Sequence, residues 1–426
     1  VTPRLRIDPR VDGLPVSPTL ASRGRSGELA AAGRRVYRLG LGQSPFPVPE
    51  PVVAALRAAA AEKDYLPPGG LAELRAAVAD HHRRRHGIAI AAEDVVVGPG
   101  SKELMFLLQL CFDGEILLPT PSWVSYVPQA RLAGRKVVAL EGGGHHGLQL
   151  SPETLDRACA AADVPRLLFL NSPSNPTGLA YERDEQIALA EVCRRHGVVV
   201  LSDEIYGDLR FDGRHESFAC HYPEGTVVAS GLSKWCGAGG WRLGTLGLPA
   251  TLRPLRRALE AVASETYSTT SAPIQRAAIA AFRPGAELEL YLHDARRVLS
   301  FVLGWAHGEL ARAGLDVPEP AGGFYLFPGF APLRERLAWR GVHDDVALCE
   351  LLLATTGVFA LPGSAFGMAR EALWLRLALV DFDGARALVA ARDGTLDVAF
   401  LRRHVTATTE AILALAALAR ELGGRP

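Results

Sequence analysis

The chain has 426 residues, 48% of them hydrophobic, enough to bury a large core and to fold as one large domain with a smaller one beside it. Lysine plus arginine and aspartate plus glutamate both total 46, and the resulting formal net charge of zero gives no support for a nucleic-acid or membrane-surface partner. Six scattered cysteines without a CxxC pair argue against a disulfide framework or a zinc site, so no metal is expected and a reducing, cytoplasmic setting is. No apolar run approaches a membrane span, and the opening Val-Thr-Pro-Arg-Leu-Arg does not read as a signal peptide.

Residues 1–50, rich in proline, glycine and arginine, read as an extended arm feeding a short segment at 36–42. From 51 to 290, helical patterns (71–86 and 101–112 among them) alternate with short apolar runs at 94–97, 115–118, 136–140, 166–170, 198–201 and 226–229. Continuous rather than alternating apolar runs imply strands covered on both faces by helices, an α/β sandwich with a mostly parallel sheet. Residues 141–147 read as a surface turn whose paired His145 and His146 are solvated. From 291 to 426, a helix at 292–310, a strand at 323–327 and a helix from about 397 suggest a smaller α+β domain.

The chemistry-bearing positions fall at strand ends. Lys234 lies in Ser230-Gly-Leu-Ser-Lys-Trp-Cys-Gly-Ala-Gly-Gly-Trp-Arg-Leu-Gly244. A lysine among small residues suits an imine-forming amine, and the arginine eight positions later suits an anion clamp; an exposed loop is the plain alternative. The run at 198–201 leads into Ser202-Asp-Glu-Ile-Tyr206, where Asp203 either points at a ligand from the strand's carboxyl end or caps a helix. The run at 166–170 ends in Asn171-Ser-Pro-Ser-Asn-Pro-Thr-Gly178, which fixes Asn175 in a turn. Gly98-Pro-Gly-Ser101 opens a helix whose free amides suit a phosphate.

Three of these segments together, Asn-Ser-Pro-x-Asn-Pro-Thr-Gly, Ser-Asp-Glu-Ile-Tyr and Ser-Lys with its later arginine, resemble the class I/II aminotransferases, fold-type I enzymes using pyridoxal 5′-phosphate. The similarity extends over nearly the whole chain and is nearest to the bacterial aspartate/prephenate type. It implies Lys234 as the Schiff-base lysine and proton shuttle, Asp203 as partner of the pyridine nitrogen, and Tyr206 and Asn175 as partners of the phenolic oxygen. It assigns the phosphate to Gly100, Ser101, Ser233 and Arg242, with Lys102 beside them, and stacks Trp123 on the ring. Tyr65 matches a tyrosine that reaches the neighbouring subunit's phosphate, which implies a homodimer with shared sites. Arg376, with Gly42 beside it, matches the arginine that grips the α-carboxylate of an amino-acid substrate.

Departures from the pattern accompany the likeness. Gly231 replaces a phosphate-binding serine of many relatives, and Trp235-Cys236 after the lysine suggest a reshaped pocket. Lys102 stands where aspartate/prephenate relatives hold a distal carboxylate, and Thr19 matches a substrate-contacting threonine, yet residues 13–17 lack the basic residue of that group. Residues 381–394 look like an insertion, either a packing element or a wall for a larger substrate. The leading expectation is an aminotransferase. The alternative is a specialised pyridoxal-phosphate enzyme doing β/γ-elimination, replacement or C–C bond formation on a substrate such as S-adenosylmethionine.

Overall fold

The computed structural model describes residues 5–18, 21, 27–29, 31–144 and 147–424, without the side chain of Asp393; Thr19, His145 and His146 lie outside the described residues. The first strand, β1 (Tyr37–Arg38), stands apart from the main sheet. That sheet is built from β2 (Val95–Gly98), β3 (Glu115–Thr120), β4 (Val137–Glu141), β5 (Arg166–Asn171), β6 (Val199–Asp203), β7 (Thr226–Gly231) and β8 (Gly244–Gly247). Its order is β2-β8-β7-β6-β5-β3-β4, and β8 alone runs against its neighbours. The apolar runs of β2, β5 and β7 are buried along their length, as a sheet covered on both faces requires. Sequence reading missed β8, whose Gly-Thr-Leu-Gly offers little strand propensity; pairing with β2 and β7 supplies what its composition does not.

This order brings three carboxyl ends side by side. Asn171 pairs in register with Asp203, and Asp203 with Ala229, so β5, β6 and β7 deliver their loops to one crevice. On the other side of that crevice Gly98, Gly244 and Gly231 lie in one register across β2, β8 and β7. A Cβ at Gly244 would stand 2.0 Å from Ser101 N, and one at Gly231 would stand 2.7 Å from the Leu243 carbonyl oxygen. The glycines therefore let the helix Ser101–Cys111 approach the sheet end-on. The close β7–β8 pairing also leaves no space for a serine at position 231.

The C-terminal part packs around the helix Ala286–Arg312, which is unbroken across residue 290, where a boundary was expected. β9 (Tyr325–Leu326), β11 (Leu361–Pro362) and β12 (Leu375–Ala378) form a small antiparallel sheet, and β10 (Val358–Phe359) pairs in parallel with β1. The C-terminal helix expected from about 397 is two helices, Val398–His404 and Thr406–Gly423. Residues 384–393 form a helix capped by Asp383, whose side chain accepts from Arg386 N. Its Ala387 and Ala391 are fully buried in the cluster that contains Val298 and Leu299. This segment packs; it lines no part of the crevice described next.

Candidate active site

A cavity of about 480 Å³ opens at the carboxyl ends of β5–β7, within the range typical of small-molecule sites. Its wall holds Lys234, Asp203, Tyr206, Asn175, Arg242 and Arg376, together with Ser101, Lys102, Trp123, Ser233 and Gly42. Of the cofactor- and substrate-binding residues that the resemblance implies, Tyr65 and Gly100 are not on this wall. Gly100 caps the helix Ser101–Cys111 at φ +96°, and a Cβ there would stand 2.1 Å from Arg242 Nη2. Tyr65 is 89% exposed.

Lys234 Nζ donates to the Gly42 carbonyl at 2.8 Å and lies 5.6 Å from the Phe324 ring. Burial, reinforced by the positive charge of Arg376, lowers its pKa from the ordinary 10.5 to about 8. The same cavity carries Asp203, 3% exposed. Its carboxylate accepts from Tyr126 Oη at 2.7 Å and Ile205 N at 3.3 Å, and among the described residues no cation forms an ion pair with it. Burial raises its pKa to about 6 against those two hydrogen bonds. A carboxylate in that state favours any cationic group brought next to it.

Arg376 is fully buried, as no isolated surface arginine is. Its guanidinium donates to the Gly40 carbonyl and to Asn175 Oδ1 at 3.2 Å, and lies 4.7 Å from the Tyr325 ring. Its Nε has no partner, a buried donor left over for a ligand oxygen. Asn175 is itself held by Asn171 Oδ1, which accepts from the Asn175 amide at 2.7 Å. Gly42 is required here for close approach: a Cβ would lie 1.8 Å from Tyr325 Oη. At the far end of the cavity Arg242 adopts φ +56°, a left-handed conformation unusual for a side-chain-bearing residue. Bonds to Gly239 O at 2.9 Å and Pro99 O at 3.2 Å hold it there. Its guanidinium, Ser233 and the open amides at Ser101 face one volume, an anion cradle.

These groups fit pyridoxal phosphate: an anion cradle, a buried carboxylate without an ion pair among the described residues for a pyridinium, and an amine with a lowered pKa on the same cavity. Two aromatic residues that sequence reading passed over belong to the arrangement. Tyr126 lies three residues beyond Trp123, but only its bond to Asp203 reveals it. Tyr325 lay in the expected strand 323–327; its hydroxyl meets Tyr206 Oη at 3.0 Å. The expectation for Trp235-Cys236 is corrected. Neither lines the cavity; Trp235 is 1% exposed and stacks at 15° on His81, and Cys236 is fully buried in the same interior. Ser233 and Lys234 face the cavity, and the chain then turns Trp235 and Cys236 into the core.

A fold-type I architecture with this site defines a pyridoxal-phosphate-dependent transferase. A family model described as "Aminotransferase class I and II" matches residues 34–391, and the chain belongs to that family. Aspartate aminotransferase of Bacillus subtilis (strain 168) is 34% identical over 373 residues, covering 85% of this chain and 92% of the relative. Aspartate/prephenate aminotransferase of Thermus thermophilus is 31% identical over 362 residues, covering 84% and 90%. Among solved structures, aspartate aminotransferase from Thermus thermophilus with maleate superimposes with a TM-score of 0.81 at 30% identity, covering 92% of this chain and 98% of that one. The aspartate aminotransferase from Rhizobium meliloti gives 0.82 at 27%, covering 98% and 99%. The chain is thus an aminotransferase. The elimination or C–C bond-forming alternative is not favoured, and the feature that suggested it, Trp235-Cys236, lies outside the cavity.

Proposed function

We propose that this aminotransferase takes an acidic amino acid, exchanging its amine with a 2-oxo acid. Lys102 carries the proposal. Its ammonium lies 5.0 Å from the Trp123 ring on the cavity wall, and no described carboxylate pairs with it. Burial and the nearby Arg242 lower its pKa, the cost of an unpaired cation that a substrate's distal carboxylate would offset. The relatives named for aspartate support the same class. Ser17, on the cavity wall, stands in the segment 13–17 that lacks a basic residue, and among the described lining residues Lys102 is the cation not assigned to another group.

Pyridoxal phosphate, when bound, supplies the electron sink for the carbanion at the substrate Cα. Around it each residue has a task. Arg242, Ser233 and the Ser101 amide hold the phosphate, and Trp123 packs on the ring face. Asp203 keeps the ring nitrogen protonated, its carboxylate aimed by Tyr126. Tyr206 and Asn175 hydrogen-bond the phenolic oxygen. Arg376 grips the α-carboxylate with its fork of donors. Lys234 Nζ would take the proton from the substrate Cα, and a pKa near 8 leaves part of the amine free at neutral pH.

The test compares half-reaction rates for aspartate and alanine. Lys102→Ala should lower kcat/KM for aspartate by roughly 10- to 100-fold, the loss of a charged hydrogen bond of about 1.5–3 kcal/mol, and leave alanine unchanged. Equal losses for both substrates would overturn the assignment. We also propose a homodimer in which the exposed Tyr65 completes the partner's phosphate site. Mixing Lys234→Ala with Tyr65→Ala protomers should then restore activity above either parent, whereas a strictly monomeric enzyme would show only the average.

A further inference from the structure

Behind the active-site loops lies a second polar cluster that transamination does not use. The helix Ala72–His86 turns three imidazoles inward, His81, His82 and His86, each at most 9% exposed. They meet the turn Gly207–Leu209, two residues beyond Tyr206, where Asp208 is 5% exposed. One ligand atom from each of His81, His86 and Asp208 falls within 4.8 Å of the other two. We propose that these three residues bind a divalent transition cation of the zinc class, as a structural clip between this helix and the turn carrying Tyr206. The proposal is independent of the substrate assignment.

Three features favour a cation over an ordinary hydrogen-bonded cluster. His81 Nε2 and Asp208 Oδ2 are 3.3 Å apart. Two ligands at roughly 2.0–2.1 Å from a tetrahedral zinc stand about 3.4 Å from each other. The carboxylate is also oriented from outside: Arg85 Nε at 3.3 Å and Arg296 Nη2 at 3.9 Å face Oδ1, which turns Oδ2 toward the histidines. His82 Nδ1 lies 3.3 Å from His86 Nδ1, so this contact occupies one nitrogen of His86 and leaves Nε2 for a ligand.

Two imidazoles and a carboxylate suit zinc, cobalt(II) or nickel(II) and not calcium or magnesium, which prefer oxygen sets. Trp235 stacked on His81, and the edge of Phe282 at 5.4 Å, close the site against solvent. Three side chains leave the fourth tetrahedral position to a water enclosed by these walls, and the ligands lie off the active-site cavity, so the ion's role is structural.

Tag-free holoenzyme, dialysed against a chelator and reloaded with zinc, should retain one zinc per chain through gel filtration. Cobalt(II) should give the intense visible bands of a tetrahedral complex. His86→Gln and Asp208→Asn should each bind zinc at least about tenfold more weakly and lose the zinc-dependent rise in melting temperature, while keeping the cofactor's absorbance. Wild type holding no more zinc than His86→Gln, in protein with intact cofactor absorbance, would overturn the assignment. If neither variant yields soluble protein, the wild-type cobalt spectrum decides: weak octahedral bands, or no cobalt retained, reject the site.

Discussion

Asp203 and Glu204 are consecutive, almost equally buried, and opposite in character. Glu204 faces away from the cavity, where Ser202 Oγ at 2.8 Å, Ser217 Oγ at 2.6 Å and His215 Nε2 at 2.9 Å surround it. Burial pushes its pKa up, but His215 and the hydroxyls outweigh burial and bring it down to about 2. Asp203 has Tyr126 and a backbone amide only, and burial wins, raising it to about 6. The saturated carboxylate is architecture. The undersupplied one suits a cationic partner. Lys234 and Trp235 repeat the contrast one strand away: an amine at the cavity wall, and an indole in the core.

The sharpest break of that contrast is Lys234→Ala against Trp235→Phe. Removing the amine should lower transamination by about 10⁴-fold or more and abolish the absorbance of the lysine-linked cofactor. Trp235→Phe should leave kcat and substrate preference within a few-fold and cost about 1–3 kcal/mol of stability, read from denaturant unfolding. A changed substrate preference in Trp235→Phe at unchanged stability would return that residue to the active site.

Next comes Asp203→Asn against Glu204→Gln, distinguished by pH. In the cofactor-free protein the folded pKa of Asp203 lies above its ordinary 3.8, so its stabilising contribution is present below about 4 and is lost as pH rises through 6. Glu204 has the opposite sign: its folded pKa lies below 4.5, and its contribution is present above 4.5 and lost as pH falls toward 2. Asp203→Asn should therefore gain stability relative to wild type between pH 4 and 6 while losing about 10²- to 10⁴-fold in kcat. Glu204→Gln should lose about 3–5 kcal/mol at neutral pH, with a far smaller effect on kcat in the folded fraction. Unfolding curves across pH 4–7 read both; a neutral-pH stability loss in Asp203→Asn would contradict the assignment of a strained, unfilled carboxylate.

The same contrast explains what could be read without coordinates. Asn175, Asp203 and Lys234 were legible because each follows an apolar run and ends in polar, turn-forming residues, and register then brings β5, β6 and β7 together. Lys102 and Arg376 were visible by family likeness only; nothing local marks Arg376 as fully buried. Tyr126 and Tyr325 were missed because an aromatic residue among apolar neighbours looks like core until a hydroxyl partner is seen. Trp235 was misread for the converse reason: closeness to Lys234 along the chain says nothing about which side of the loop a residue faces. The scattered cysteines gave no sign of the proposed cation site, whose ligands His81 and His86 share one helix and meet Asp208 only in the fold.

The smallest expected effect belongs to Tyr126→Phe, and it tests how finely the undersupplied state is set. The substitution keeps the ring, which packs 4.8 Å from Phe169, and removes only the donor at 2.7 Å from Asp203 Oδ2. A hydrogen bond to a charged group is worth about 1.5–3 kcal/mol, so the carboxylate becomes harder to ionise. In the cofactor-free protein, the pH window in which Asp203 loses its stabilising contribution should move above 6, with the Glu204 window unmoved. In the holoenzyme a more weakly ionised Asp203 holds the pyridine proton less firmly, and kcat should fall by about tenfold with KM for the amino acid little changed. A purely packing role for Tyr126 would lower stability equally at every pH and leave both windows in place. A shift confined to the Asp203 window can come only from the hydroxyl, because nothing else in the substitution changes charge or hydrogen bonding.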